Sequence, residues 1–170
     1  MTDYKKEGVI KGELEIEGNL ILTGDLTVEK WVNVSGYIDC AGYYINAGDS
    51  INAGGSIKAG DSINAGGSIN AGDSIEAGYY IKAGDSINAG GSILAQLWVK
   101  AKGTISAGIY IYAGLVTWRK RDAEDMVIEC EKLLSGEVAF GTLKEIEKVI
   151  EEMTVEQICK ALGKNVKIIK

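Results

Sequence analysis

A six-residue period governs most of this chain. From Tyr44 the sequence reads YINAGD, SINAGG, SIKAGD, SINAGG, SINAGD, SIEAGY, YIKAGD, SINAGG. An aliphatic residue returns at every sixth position, through Ile45, Ile51, Ile57, Ile63, Ile69, Ile75, Ile81, Ile87, Ile93, Val99, Ile105 and Ile111. The same period runs earlier through Leu14, Leu20, Leu26, Val32 and Ile38, and one extra residue before Ile45 shifts its phase. A fixed short period is the sequence signature of stacked coils. In an extended segment the Ile and the Ala two places on face one side, and their neighbours face the other. Gly-Gly or Gly-Asp then makes a corner, where positive φ is often required. A strand this short cannot stand alone, so successive coils must stack over a narrow Ile/Ala interior.

Charge sets the size of the coil. Asp49, Asp61, Asp73 and Asp85 recur every 12 residues. A two-sided coil of that length would stack them in one repelling ladder at about 4.8 Å. A three-sided coil of 18 residues distributes them over its edges and sets Lys58 beside Glu76. The expected fold is therefore mainly β, a single-stranded β-helix with five to six coils, roughly 27 Å long, over residues 8–115.

Three coil faces then differ in character. The first carries Tyr44 and Asn46, Ser62 and Asn64, Tyr80 and Lys82, and Trp98 and Lys100, with Tyr43 and Tyr79 at its corners. The second is a column of Ser and Asn, through Asn52, Asn70 and Asn88 to Thr104 and Ser106. The third turns apolar toward its end, at Leu94, Tyr110, Tyr112 and Leu115. Beyond it, residues 116–170 read as a small helical cap or interaction segment. Met126, Val127, Cys130, Leu133 and Leu134 mark one amphipathic helix ended by Gly136. A second helix is expected from Thr142, with Glu145 in capping-box spacing, and a third from Thr154 to Gly163, before a strand-like NVKIIK tail. These helices are expected to cover the apolar end of the third face and a strand edge.

Composition narrows the chemistry. The chain has 23 glycines, no proline and no histidine, and a formal charge of -6. Without histidine there is no Ser-His-Asp or Cys-His catalysis and no histidine-bound zinc. The acidic balance gives no general attraction to nucleic acid or to an anionic membrane. The N-terminal MTDYKKEG lacks a secretory apolar run, and no stretch approaches the roughly 20 apolar residues of a membrane span. Cys40, Cys130 and Cys159 lack CxxC spacing and read as reduced thiols of a cytoplasmic protein. The corner aspartates read as turn residues, and calcium-binding nonapeptide spacing is absent. No catalytic, metal or cofactor site is expected.

The hexads resemble two families over roughly residues 8–115. In period they are similar to hexapeptide-repeat acyltransferases, which implies three-sided left-handed coils. Those enzymes commonly use a histidine base, so their activity does not follow here. The segment GELEIEGNLILTGDLTVEKWVNVSGYIDCAG resembles the bactofilins, which implies a polymer joined through solenoid ends and needing no nucleotide.

The functional expectation is a non-enzymatic protein-binding module. Its wall is Tyr43, Tyr44, Tyr79, Tyr80, Lys82, Trp98 and Lys100, a mix of aromatic area and charge typical of interface hot spots. Aromatics beside lysine also stack single-stranded nucleic acid, and the same rings can simply brace neighbouring strands. A compact, catalytically empty, acidic protein fits a phage inhibitor of a host defence system, of the anti-CRISPR kind, acting by direct contact. Magnitude argues against mimicry of DNA, because a ~27 Å rod of duplex carries some 16 negative charges, whereas residues 1–115 hold 13 acidic and 8 basic side chains. The alternative is a self-assembling scaffold joined through coil ends or C-terminal helices. Ice binding by the Ser/Asn face is a minor third reading. The basic run TWRKR, Thr117 to Arg121, reads as a solvated boundary.

Overall fold

The structure, a computed structural model, describes residues 2–3 and 9–147. Each hexad forms a three-residue strand, such as Ile45–Ala47, Ile51–Ala53 and Ile57–Ala59, followed by a bend. Every strand pairs in parallel with the strand three hexads on, as Ile57, Lys58 and Ala59 do with Ile75, Glu76 and Ala77. Three strands therefore complete one turn, and the coil is 18 residues long. Lys58 and Glu76 meet as expected, with Nζ and Oε2 3.7 Å apart.

The first face is an 8-stranded parallel sheet, and the other two faces join in a 13-stranded one. The join is the long strand Thr104–Ala113, which bends from the second face into the third. It pairs with Ile87–Ala89 near its start and Ile93–Ala95 near its end. Alternation places the aliphatic column inside: Ile45, Ile51, Ile57, Ile63, Ile69, Ile75, Ile81 and Ile87 are each 0% exposed. Each such side chain contributes about 1.5–3 kcal/mol by leaving water. The corners close the ladder with backbone bonds such as Gly66 N–H to Ala47 O at 3.0 Å. The extra residue near position 42 is absorbed in one corner, where Gly42 takes φ +88° and Tyr43 N–H donates to Cys40 O. Register then resumes with Leu26 opposite Ile45.

The C-terminal helices require correction. Residues expected in the first helix instead form a short 3₁₀ turn, Ala123–Met126, then strands Val127–Cys130 and Lys132–Phe140. Thr142, the expected start of the second helix, opens the strand Thr142–Glu145. The coils thus continue past residue 115. Val99 pairs with Ile128 at an offset of 29, so an insertion of eleven residues interrupts this coil before the stack resumes. Ile128 pairs in turn with Leu143 at an offset of 15, a shortened coil. The reason is physical: in VIEC, Ile128 and Cys130 face in while Val127 and Glu129 face out, and the open edge of the Val99 strand supplies a ladder that an isolated helix lacks. Eight strands on one face span roughly 34 Å at the sheet spacing, more than five or six coils would.

The apolar end of the third face is also not covered as expected. The strand Lys132–Phe140 sits on Thr104–Ala113 as the next rung, so Tyr110 stays exposed and meets Tyr112 edge-on at 6.0 Å. The expected third helix, the NVKIIK tail and Cys159 lie outside the described residues.

Candidate functional site

Flat sheets turn sequence spacing into a surface pattern. On the second face Asn70 Nδ2 donates to Asn52 Oδ1, and Asn88 Nδ2 donates to Asn70 Oδ1, both at 2.8 Å. Beside this ladder the Ser50, Ser68 and Ser86 hydroxyls accept the N–H of Ser68, Ser86 and Thr104. Side-chain polar atoms of this face are largely paired along the column.

The first face is different. Residues 44, 62, 80 and 98 fall in one outward column, because Ile45, Ile63, Ile81 and Val99 are in register. Tyr80 and Trp98 stack with ring centroids 4.2 Å apart and planes 9° from parallel. Lys100 Nζ lies 5.3 Å from the Trp98 centroid and 3.9 Å from Glu129 Oε2, which also takes Lys144 Nζ at 3.3 Å. Lys82 is exposed between Asn64 and Lys100 in the neighbouring column. Four of the expected wall residues, Tyr80, Lys82, Trp98 and Lys100, therefore form one continuous patch.

Tyr43 and Tyr44 stand apart from that patch. Ser62, only 4% exposed, occupies the place between Tyr44 and Tyr80, and Asp61 occupies the corner between Tyr43 and Tyr79. The corner ladder is direct: Asp61 N–H donates to Tyr43 O at 3.1 Å, and Tyr79 N–H donates to Asp61 O at 3.2 Å. Two short side chains between two pairs of tyrosines leave a notch of about 400 Å³. A second hollow of about 370 Å³ lies on the other side of Tyr43 and Tyr44, against Asp25, Thr23 and Thr27. The wall is thus a fin and a patch with a slot between them.

The loop at residues 114–126, which contains the insertion, adds a residue the period could not locate. Trp118 lies 5.4 Å from Tyr79, ring to ring, tilted by 37°, and so packs against one of the notch residues. Arg119 holds this loop by donating to Asp122 Oδ2 at 3.0 Å and to the buried Asp125 Oδ1 at 2.8 Å. Asp125 also accepts the Asp122 N–H at 2.8 Å. That backbone bond, then Arg119, holds the Asp125 carboxyl below its ordinary range. The basic run is therefore partly a structural clasp, and Arg121 lies 5.1 Å from the centre of the Phe140 ring. The sequence places Ser62 on the first face, Asp61 at a corner and Trp118 in the TWRKR boundary, but assigns none of the three to the docking wall. The Tyr-Ser-Tyr alternation at positions 44, 62 and 80 was a legible signal for the slot; Trp118 had none, being outside the hexads.

The buried cysteines belong to the core. Burial first, then Asp25 and Asp39, pushes the Cys40 thiol from 9.0 to about 11. Cys130 is also raised, by burial first and then by Glu145. Among the described residues no cluster of His, Cys, Asp and Glu is placed to hold a metal ion, and no helix is long and apolar enough to cross a membrane. No family model, curated protein or solved structure matches this chain, so the likeness to hexapeptide enzymes and bactofilins extends to the parallel solenoid alone.

Proposed function

We propose that this chain is a protein-binding module and that the aromatic wall of its first face is the docking surface. The observation that carries this reading is the stacked Tyr80–Trp98 pair with Lys100 over it, beside the exposed Tyr79 and faced across the notch by the exposed Tyr43. Bracing alone would need the rings of neighbouring rungs to touch. Tyr80 and Trp98 do touch, whereas Tyr43 and Tyr79 are 40% and 44% exposed and separated by an aspartate. Rigid aromatic side chains fixed on a sheet lose little entropy on binding, which favours them as anchors. The second face supports the contrast, since its asparagines are hydrogen-bonded to one another. An inhibitor of a host defence complex acting by direct contact would dock through this wall.

The test is site-specific photo-crosslinking in the source cells, with benzoylphenylalanine at Lys82 on the wall or at Asn70 on the second face. One discrete protein adduct from position 82 and none from position 70 is the expected result. Equal labelling from both positions, or none from either, counts against a docking wall.

A further inference from the structure

We infer that the notch between the Tyr43/Tyr44 fin and the Tyr79/Tyr80 pair is a receptor for an arginine side chain of the partner. This rests on the wall being a protein-docking surface and adds the chemistry of what enters it. Tyr44 and Tyr80 are two rungs apart, about 9.6 Å, with the small Ser62 between them. A planar group at the Ser62 level would lie about 4.8 Å from each ring, inside the ~6 Å over which a ring face attracts a cation. Tyr80 stacks on Trp98 with one face at 4.2 Å, which leaves its other face to the notch, and its hydroxyl accepts a bond from the notch-lining Asn64 Nδ2 at 3.5 Å.

Charge decides among planar guests. Asp61 lines the notch, and its Oδ1 accepts a bond from the Ser62 hydroxyl at 2.8 Å. A carboxylate can accept about four hydrogen bonds, and a guanidinium can bridge to it while stacking on aromatic faces. A nucleobase would bring phosphate toward Asp61 in a chain of net charge -6, and an apolar ring would bury the carboxylate with nothing to neutralise it. A lysine ammonium would satisfy the charge but not the flat slot. Lys82 is one rung from Asn64, and among the described residues it forms no ion pair with Asp61. The guest that satisfies both the slot and the carboxylate is arginine.

The experiment titrates the peptide acetyl-Gly-Arg-Gly-amide into the isotope-labelled full chain and follows the wall resonances by NMR. Saturable shifts centred on Tyr44, Asp61 and Tyr80, with a dissociation constant on the order of 1 mM, are expected for one side chain. Replacing the arginine by citrulline, a neutral near-isostere, should weaken binding at least about tenfold, as should Asp61→Asn with arginine retained. Equal binding of the citrulline peptide, or arginine shifts that leave the notch unaffected, would overturn the assignment. The citrulline comparison uses the unaltered protein, so it does not depend on the variant folding. Loss of arginine recognition with the position-82 crosslink intact removes the slot chemistry alone; loss of the crosslink removes the docking wall itself.

Discussion

Adjacent glycines at one corner have different physical reasons to be there. A Cβ on Gly66 would overlap the Gly48 carbonyl of the coil below, a backbone atom that cannot yield without separating two rungs. A Cβ on Gly67 would come within 2.7 Å of Asp49 Oδ1 and Ser50 Oγ, side-chain ends that can rotate away. Gly66→Ala should therefore destabilise the protein by about 2–4 kcal/mol and Gly67→Ala by less than about 1 kcal/mol. Urea midpoints read at a common slope check this, and equal losses would contradict the stacking account. The hexads reveal that glycine is needed at corners but not why. The natural expectation, positive φ, holds at Gly42, yet no glycine from Gly48 to Gly91 has it. The first glycine of each corner serves close approach of backbone to backbone, which a one-dimensional pattern does not display. The alternation of Gly-Gly with Gly-Asp has a related cause. Gly67, Asp85 and Gly103 alternate up one edge and Gly55, Asp73 and Gly91 up another, so Asp73 and Asp85 each have a glycine above and below, while Asp61 lies between Tyr43 and Tyr79. Like charges are thereby kept two rungs apart.

At the scale of elements, the strands were legible from Leu14 to Ile111 because period and burial coincide at every hexad. Legibility failed at the insertion, where eleven extra residues end the phase relation and leave short apolar runs open to either period. Met126, Cys130 and Leu133 fit a helix stripe, while Ile128 and Cys130 fit a strand. The edge of the preceding coil decided between them. That loop is itself a testable element, since Asp125 ties Arg119 and the Asp122 backbone together beneath Trp118. Its carboxyl is held below its ordinary 3.8, so the stabilisation is fully present above that value and is lost as pH falls through the lower folded value. The indole N–H resonance of Trp118 should move toward its solvent-exposed position on acidification below about pH 4, while the ladder amides stay protected. Asp125→Asn should produce the same shift at neutral pH. An indole insensitive to both changes would show that the clasp does not position Trp118.

For the whole molecule, stacking converts one repeated side-chain pattern into three long faces, each with its own chemistry. One is a hydrogen-bonded Ser/Asn ladder, one mixes a Lys58–Glu76 pair with the exposed Tyr110, and one carries the aromatic wall. The strands beneath the wall, Ile45–Ala47, Ile63–Ala65, Ile81–Ala83 and Val99–Ala101, are locked by a fully buried aliphatic column. Side chains on the wall can therefore be replaced without touching the core. The wall residues and the Tyr-Ser-Tyr alternation behind the slot were recoverable from the 18-residue spacing, whereas the volume above Ser62 was not, because spacing carries no side-chain geometry. The most direct measurement is the affinity of the double variant Tyr80→Ala/Trp98→Ala for the protein crosslinked from position 82, with the ladder amides confirming an intact solenoid. Docking through the wall predicts at least about a hundredfold loss. Undiminished affinity in a folded double variant would contradict it.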